Sequence, residues 1–362
     1  MAKGKKKWLY LPGLLLFFIY FFIFPRSIPV ETILKPRWIA SLESNYLHSF
    51  DANTKQRDES YIPFTLGDHF GYLMDNGQFA ISKKKNAHIS LSKSIWTEYD
   101  STPIASNIMD PLDRVVNTIE NPKGYPMLLD DRVFIVGIEQ NNITAIDGDG
   151  KELWIHDFPA HITCVDSAGG YLLAGTLNGA VVLLNPEGDP VFTPFEPGGS
   201  RLSVILGCAI SSDASRIALI SGIADQRFLL LEQSADTYRV VYHEFISEGF
   251  RRPVHIGFTD NDTKIIFERE GGIGIYNIGS RSSVKVNLDG NIEVLDSSGE
   301  NGFLFALISR GVMDKSLITI KYPGLIVNET PFKSENSFFA RQGNQLYLGG
   351  DLLIASFDME KR

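Results

Sequence analysis

The sequence predicts an all-β protein, a seven-bladed β-propeller that follows one N-terminal transmembrane helix. Three observations predict this fold class. Residues 8–24 form an apolar run without charge, and from about residue 61 onward short apolar runs alternate with turn residues. The apolar runs also recur as four-strand units, at the period of about 40–45 residues that is typical of propeller blades.

The apolar run WLYLPGLLLFFIYFFIF at residues 8–24 predicts a membrane anchor. At about 1.5 Å per helical residue it can cross a bilayer core of about 30 Å. Residues 1–7 carry four lysines, which favours a basic tail that stays in the cytoplasm. Because no small-x-small cleavage site follows, we expect an uncleaved signal anchor. The prediction is a single-pass protein of the inner membrane whose C-terminal domain lies in the periplasm or outside the cell.

Residues 25–60 are predicted to link the anchor to the folded domain. The stretch SLESNYLHSFDANTKQRDES, at 41–60, is rich in Ser, Asn and Asp and shows neither helical nor strand periodicity. The propeller domain is therefore expected to occupy residues 61–362.

Internal repeats define the blades of that domain. The segment RVFIVGIEQNNITAIDGDGKELWIHDF (132–158) and the segment YLLAGTLNGAVVLLNPEGDPVFTPF (171–195) share one plan of strands and Gly-containing turns. Segments 216–245 and 264–288 repeat that plan, each unit follows a further strand, and weaker copies start at FGYLM (70–74) and SFFARQ (337–342). Seven such leading strands begin 37 to 55 residues apart, which predicts seven blades.

Six or eight blades remain alternatives, because the first copy is degenerate. The stretch DPLDRVVNTIENPKGYP (110–126) is interpreted as a long insertion after that copy. The run YIPFTLG (61–67) has no blade of its own in this scheme. We expect it to supply the missing outer strand of the last blade, since an open ring would leave unpaired strand edges.

The decapeptide AIDGDGKELW (145–154) admits two interpretations, a calcium loop or a hairpin turn. An EF-hand loop that begins at Asp147 needs an oxygen ligand at its fifth position and Glu at its twelfth. Lys151 and Phe158 occupy those positions. The turn is therefore favoured, because Asp and Gly tolerate the backbone conformations of hairpin turns.

The same decapeptide resembles the repeat of PQQ-type propellers, the quinoprotein alcohol dehydrogenase-like group, with the pattern A-x-D-x-x-G-K-x-x-W. Five residues match it in order: Ala145, Asp147, Gly150, Lys151 and Trp154. The resemblance implies that Trp154 packs against the neighbouring blade under a Gly turn. Quinone-dependent enzymes of that group carry an adjacent Cys-Cys pair, which this sequence lacks. Membrane-anchored or lipid-anchored relatives serve as scaffolds in outer-membrane protein assembly, so the resemblance implies the fold more than an activity.

Composition excludes several functional classes. The net charge of −9 does not suit nucleic-acid binding, which needs an excess of Lys and Arg. The two cysteines, Cys164 and Cys208, stand alone in apolar runs and are interpreted as core residues. No His pair at metal spacing, phosphate-binding loop or nucleophile elbow is present. We therefore predict no cofactor, no metal and no catalytic residues.

The stretch SEGFRRPVHIGF (247–258) is the main candidate for binding a partner protein or an anionic ligand. Phe250, Arg251, Arg252 and His255 concentrate aromatic and basic side chains on a connection between blades, and such residues dominate interface hot spots. The alternative is a solvated loop whose arginines pair with carboxylates such as Glu268 and Glu270. The stretch at 110–126 is the second candidate, because long loops on rigid scaffolds often carry function.

These observations favour a membrane-anchored scaffold that binds unidentified envelope or membrane proteins and catalyses no reaction. The alternative is an enzyme of quinone-dependent, hydrolase or lyase type, or a small-ligand sensor, that uses the central channel. That alternative requires convergent polar side chains on the inner strands. The candidates there are scattered over several blades: Asp166, His255, Glu293, Asp296 and Arg341.

Overall fold

The computed structural model describes residues 32–44, 47–49, 60–192, 194–198, 200–235, 237–246, 249–299 and 302–361. These residues form strands in eight antiparallel sheets and contain no α-helix. Within this part of the chain, no helix is long and apolar enough to span a membrane. The anchor predicted at residues 8–24 lies outside the described residues. The chain divides into two compact units, and the larger, Pro36–Asp358, contains residues of all eight sheets.

The sheets are the blades of a propeller, numbered here in chain order. Blade 1 contains β3 (Tyr61–Leu66), β4 (His69–Met74) and β5 (Phe79–Lys84), and blade 2 contains β6 (His88–Leu91), β7 (Trp96–Tyr99), β8 (Ala105–Met109) and β9 (Val115–Glu120). Blade 3 contains β10 (Gly124–Leu129), β11 (Arg132–Gly137), β12 (Asn142–Ile146) and β13 (Glu152–Asp157), and blade 4 contains β14 (Ile162–Ala168), β15 (Tyr171–Thr176) and β16 (Val181–Leu184).

Blades 5 to 8 follow the same up-and-down order. Blade 5 contains β17 (Ile205–Ile210), β18 (Arg216–Ser221), β19 (Arg227–Ser234) and β20 (Thr237–Phe245), and blade 6 contains β21 (Ile256–Thr259), β22 (Lys264–Arg269), β23 (Gly272–Asn277) and β24 (Ser282–Asn287). Blade 7 contains β25 (Asn291–Leu295), β26 (Phe303–Ser309), β27 (Asp314–Lys321) and β28 (Leu325–Lys333). Blade 8 contains β29 (Ser337–Gln342), β30 (Gln345–Gly350) and β31 (Leu353–Lys361), joined by β1 (Thr32–Ser41) and β2 (Leu47–Ser49).

The hydrophobic core lies between adjacent blades. The middle strand β26, with the sequence FLFALIS, is buried along its whole length, whereas the outer strand β20 is mostly exposed. A continuous apolar run is expected where a strand is covered on both of its faces. Phe228 of blade 5 stacks on Phe267 of blade 6, with ring centroids 4.4 Å apart. Each blade therefore buries its faces against its neighbours.

The prediction of seven blades was wrong, and the structure has eight. The weak first copy, which we placed at FGYLM (70–74), combined two sheets. Blade 1 ends with β5, and blade 2 starts at His88 with strands of its own. The stretch at 110–126 is likewise no insertion, because it contains β9 and the first residues of β10. Short strands with little hydrophobic alternation concealed this extra blade.

The ring is closed by the N-terminal part of the described chain. Strand β1 pairs with β31 as the fourth strand of blade 8, and β2 adds a fifth. We expected YIPFTLG (61–67) to supply this strand, but Tyr61–Leu66 pairs with β4 in blade 1. The segment predicted to be a linker, 25–60, thus contains two strands of the last blade.

A recurrent contact docks the outer strand of one blade under a glycine turn of the next. Trp154 of blade 3 donates a hydrogen bond from Nε1 to the carbonyl oxygen of Pro186 in blade 4, at 3.0 Å. A Cβ atom on Gly188 would lie 2.4 Å from Cγ of that indole, so only glycine fits. Trp38 of β1 docks in the same way, with Nε1 2.8 Å from the carbonyl oxygen of Asp75 and its ring against Gly77.

Two further blades use other side chains at the docking position. Asn117 of blade 2 lies under Gly150, where an added Cβ would be 2.8 Å from the Asn117 Oδ1 atom. Val284 and Val286 of blade 6 lie under Gly324 of blade 7, with methyl carbons 2.9 and 3.0 Å from that position. The docking site is thus common to several blades although the tryptophan is not.

Candidate binding face

The two faces of the propeller carry different turns. In a four-stranded blade, the turns that join the first strand to the second and the third to the fourth lie at one end of the strands. We call that end the turn face. The turns between the second and third strands lie at the opposite end, together with the connections to the next blade. We call that end the connection face.

The turn face is acidic. Its turns between Asp110 and Asp262 hold the following carboxylates: Asp110, Asp113, Asp130, Asp131, Asp147, Asp149, Glu187, Asp189, Asp213, Asp260 and Asp262. Several accept hydrogen bonds from backbone amides. Asp147 Oδ1 accepts from the amides of Asp149 and Lys151, at 2.9 and 2.8 Å. The GDG segment is therefore a turn in which the Asp147 carboxylate binds the backbone.

Other carboxylates of the turn face join neighbouring blades. Asp131 of blade 3 accepts hydrogen bonds from Ser92 Oγ and from the Ser94 amide of blade 2, at 2.7 and 2.9 Å. Burial acts to raise the pKa of Asp131, but these bonds hold it below its usual value. Asp262 of blade 6 accepts from the amide of Ser212 in blade 5, at 2.8 Å. The acidic turns thus have a structural use.

The connection face presents aliphatic side chains instead. Ile104 is 80% exposed, Ile138 58% and Val312 70%. The full set comes from blades 2, 3, 4, 7 and 8 and from the connection into blade 5: Ile104, Ile138, Leu177, Leu202, Val312, Met313 and Leu352. Single exposed apolar residues need no explanation, whereas a contiguous exposed patch marks an interaction surface. Four of these residues lie on successive turns and connections from blade 2 to blade 5, namely Ile104, Ile138, Leu177 and Leu202.

Hydrogen bonds fix the backbone that carries these side chains. The carbonyl oxygen of Ile104 accepts from the amide of Asn121, and the amide of Leu177 donates to the carbonyl oxygen of His161, both at 2.8 Å. In blade 7, the carbonyl oxygen of Met313 accepts from the amide of Ser334 at 3.0 Å. Each exposed turn is therefore tied to a connection between blades, so the surface is presented in a defined shape.

A cavity of about 600 Å³ lies beside Ile104 in blade 2. It forms where the sheet opens, because β7 and β8 pair only at Trp96 and Met109. Tyr99 and Asp100 line the cavity with Ile104. This cleft gives the connection face a recess next to its most exposed aliphatic side chain.

The predicted partner-binding residues lie on the connection from blade 5 to blade 6, on the same face. Arg252 binds Glu268 through both of its terminal nitrogens, with Nη1 3.1 Å from Oε2. Its guanidinium also lies 4.5 Å from the centre of the Phe250 ring, and the Glu268 carboxylate accepts the amide of His255 at 3.2 Å. Arg252 therefore pairs with Glu268, as the alternative interpretation of this loop expected. Arg251 is exposed and presents its charge to solvent.

The Arg252–Glu268 pair has the character of a structural contact. Glu268 is buried and the guanidinium is about half-exposed. The hydrogen bond to Glu268 raises the pKa of Arg252. A charged carboxylate at this depth requires a partner of opposite charge, and Arg252 supplies it. Among the predicted residues, Arg251 is exposed and Phe250 is partly buried against a hydrophobic cluster.

His255 lines a second cavity, of about 330 Å³, between the first strands of blades 4, 5 and 6. Asp166, Cys164 and Cys208 line the same space. Burial raises the pKa of Asp166, and the amide of Ile210 donates to its Oδ2 at 2.8 Å, a contact between blades 4 and 5. The Asp166 carboxylate therefore forms a contact that joins two blades.

The remaining polar residues of the inner strands also join blades. Arg341 of blade 8 and Asp296 of blade 7 form a buried ion pair with Nη1 2.9 Å from Oδ2. Glu293 of blade 7 accepts hydrogen bonds from Lys315 of its own blade and from Ser337 of blade 8. The five candidates for channel chemistry are thus spread around the ring. Among the described residues, no group of three or more His, Cys, Asp or Glu side chains is placed to hold a metal ion.

Fold and site together define an eight-bladed β-propeller with an aliphatic connection face and polar inner strands used for contacts between blades. The whole chain, residues 1–362, matches the family described as beta-propeller protein, and the chain belongs to it. It is similar to an uncharacterized protein of Treponema pallidum (strain Nichols), at 22% identity over 363 residues, which cover 94% of this chain and 92% of that protein.

Two solved structures resemble this fold. BamB from Moraxella catarrhalis superposes with a TM-score of 0.58 at 12% identity, over 90% of this chain and 100% of the BamB chain. Apo AztD from Citrobacter koseri superposes with a TM-score of 0.56, also at 12% identity, over 84% of this chain and 93% of the AztD chain. At these identities the likeness concerns the fold alone.

Proposed function

We propose that this protein is a non-catalytic scaffold of the bacterial cell envelope that binds a partner protein through its connection face. The observation that carries the proposal is the set of exposed aliphatic side chains on that face, held by backbone hydrogen bonds between blades. Interface cores need apolar side chains on a preorganised surface. Arg251 and Phe250 lie on the same face and would extend the contact.

The anchor is part of this proposal. Residues 8–24 would hold the propeller at the inner membrane, with the propeller in the periplasm or outside the cell. A tethered propeller meets membrane-bound partners at a high effective concentration, so a modest interface is sufficient. The Trp docking seen twice, at Gly77 and Gly188, supports kinship with PQQ-type repeats, whose anchored members include scaffolds.

The alternative function is an enzyme or a small-ligand sensor that uses the central channel. The cavity lined by His255 is the observation that favours it. Against it stands the use of Asp166, Glu293 and Asp296 in contacts between strands and blades. Recovery of a bound small molecule with the purified propeller, together with no protein partner in cells, would support the alternative.

Site-specific photo-crosslinking in cells, with the N-terminal residues retained, tests the scaffold. A crosslinking amino acid at Leu177 reports on the connection face, and the same amino acid at exposed Asp149 is the matched control on the turn face. We expect discrete protein adducts from position 177 only. Equal adducts from both positions, or none from 177, would contradict the proposal.

A triple variant supplies the loss-of-function test. Ile138→Ser, Leu177→Ser and Leu202→Ser together remove three aliphatic side chains from the connection face of blades 3 to 5. The control is Leu112→Ser with Leu325→Ser, two exposed leucines in or beside turns of the opposite face. We expect the triple variant to lose at least about tenfold in partner recovery, or about 1.4 kcal/mol, while the control retains it. Loss in both variants would contradict a specific connection face.

A further inference from the structure

The only two cysteines of this 362-residue chain lie next to each other, on different blades. Cys164 lies on β14 of blade 4 and Cys208 on β17 of blade 5. Both side chains line one cavity and pack in one hydrophobic cluster, and Cys164 Sγ lies 4.0 Å from the carbonyl oxygen of Ile205, on the same strand as Cys208. Both were predicted to be separate core residues. The adjacency depends on how two blades pack, which spacing in the sequence does not show.

The surrounding backbone leaves room for the two sulfur atoms. Cys164 pairs across the sheet with Gly175, where a Cβ atom would lie 2.7 Å from Cys164 Sγ. Thr163 joins β14 to both neighbouring strands, because its Oγ1 donates to the carbonyl oxygens of Gly175 in β15 and Ile205 in β17, at 3.0 and 2.5 Å. Gly175 thus leaves space beside the thiols, and Thr163 holds β14 against β17 at their level.

We propose that Cys164 and Cys208 form a disulfide that links blades 4 and 5 covalently. The oxidant is a disulfide, either a low-molecular-weight one or that of a thiol–disulfide oxidoreductase. The Cys164 thiolate attacks one sulfur of the oxidant, R′S–SR′, which gives the mixed disulfide Cys164–S–SR′ and releases R′S⁻. The Cys208 thiolate then attacks Cys164 Sγ, closes the protein disulfide and releases the second R′S⁻. The two protons lost by the cysteines leave with the two R′SH molecules.

The order of attack follows from access. Both cysteines line the cavity, but Cys164 is half-buried whereas Cys208 is buried. The hydrogen bond to Cys164 and burial both raise the pKa of the Cys208 thiol, which disfavours its thiolate while Cys164 is reduced. Cys164 therefore meets the oxidant first, and Cys208 resolves the mixed disulfide.

The test is oxidation of the folded full chain with glutathione disulfide, followed by unfolding, alkylation and peptide mass mapping. We expect two alkylated thiols before oxidation and none after it, with one peptide that joins Cys164 to Cys208 within a single chain. The oxidised protein should melt several degrees higher than the reduced protein, because the crosslink restricts the unfolded chain. Dithiothreitol should reverse both changes.

Two single variants show whether the pair reacts as proposed. Cys208→Ser should retain glutathione on Cys164 as a stable mixed disulfide. Cys164→Ser should leave Cys208 unmodified under the same conditions. Free thiols in the oxidised wild-type protein, disulfides between chains, or glutathione on Cys208 in Cys164→Ser would each overturn the proposal. None of these outcomes depends on partner binding at the connection face.

Discussion

The turn face and the connection face of this propeller are built from the same strands but use polar and apolar residues in opposite ways. On the turn face, carboxylates accept hydrogen bonds from backbone amides, and glycines leave space for side chains from the outer strand of a neighbouring blade. On the connection face, the backbone is hydrogen-bonded and the aliphatic side chains point outward. One face thus uses its polar groups in contacts within the ring, and the other exposes aliphatic side chains.

This difference predicts that substitutions on the turn face cost stability first. The largest effect is expected for Trp38→Ala, because Trp38 is fully buried at the blade that closes the ring and bonds the Asp75 carbonyl. Loss of a buried tryptophan costs about 3–5 kcal/mol, measured by urea unfolding. Trp154→Ala should cost less, since Trp154 is only partly buried. Equal losses of stability in the two variants would show that the contact between blade 8 and blade 1 contributes no more than the contact between blades 3 and 4.

Glycine substitutions sharpen the comparison within one face. Gly188→Ala places a Cβ atom within 2.4 Å of the Trp154 ring at a φ of 87°, so we expect a loss of about 2 kcal/mol or more. Gly302→Ala is the matched control on the turn face, because its φ of 77° is also positive but nothing lies within 4 Å of its added Cβ. Thermal unfolding of both variants should separate them clearly. A neutral Gly188→Ala would disprove the docking contact.

The carboxylates of the turn face predict acid sensitivity. Hydrogen bonds from Ser211 and Ser215 lower the pKa of Asp213 to about 2, below the value of an unfolded chain. A depressed carboxyl pKa stabilises the fold above the unfolded pKa, and that stability is lost as pH falls from about 4 to 2.

Asp213→Asn tests this source of acid sensitivity. The variant should cost about 1 kcal/mol at neutral pH through weaker hydrogen bonds. It should also lose less stability than wild type on acidification. Melting temperatures across the pH series measure both effects. Parallel curves for the two proteins would contradict the assignment.

The smallest effect on stability is expected on the connection face. Arg251→Ala should change the free energy of unfolding by less than about 0.5 kcal/mol, because the Arg251 side chain is exposed and is not part of the core. Arg252→Ala is the structural contrast, since it leaves the buried Glu268 without its guanidinium. We expect Arg251→Ala to weaken partner recovery while its melting temperature stays that of wild type. If Arg251→Ala lost as much stability as Arg252→Ala, the two arginines could not be divided into one exposed and one structural residue.

The sequence predicts the propeller through features that each strand and turn carries locally. Apolar runs and Gly-Asp turns such as Asp147–Gly150 repeat with the blade period, so the fold class was confirmed. The number of blades was not, because blade 2 has short strands, blade 1 has only three strands, and Trp38 lies in a segment without repeat signals. Its docking under Gly77 resembles that of Trp154, but only the motif around Trp154 is visible in the chain.

The candidate face was harder to predict for a related reason. Ile104, Ile138 and Leu177 are isolated aliphatic residues in separate turns, and their common side exists only once the blades are arranged. Arg251 and Arg252 are adjacent and look equivalent in the sequence, yet only Arg252 meets the Glu268 carboxylate, on a neighbouring strand. Contacts between blades decide which residues are structural, and those contacts are not local in sequence.

The closing strand has a consequence for the order of folding. Strand β1 must pair with β31, which lies roughly 300 residues later in the chain, and contacts of such separation form slowly. Because β1 is made long before β31, it lacks its partner until the last blade is available. The incomplete propeller therefore exposes an unpaired strand edge, which is a template for pairing with another chain.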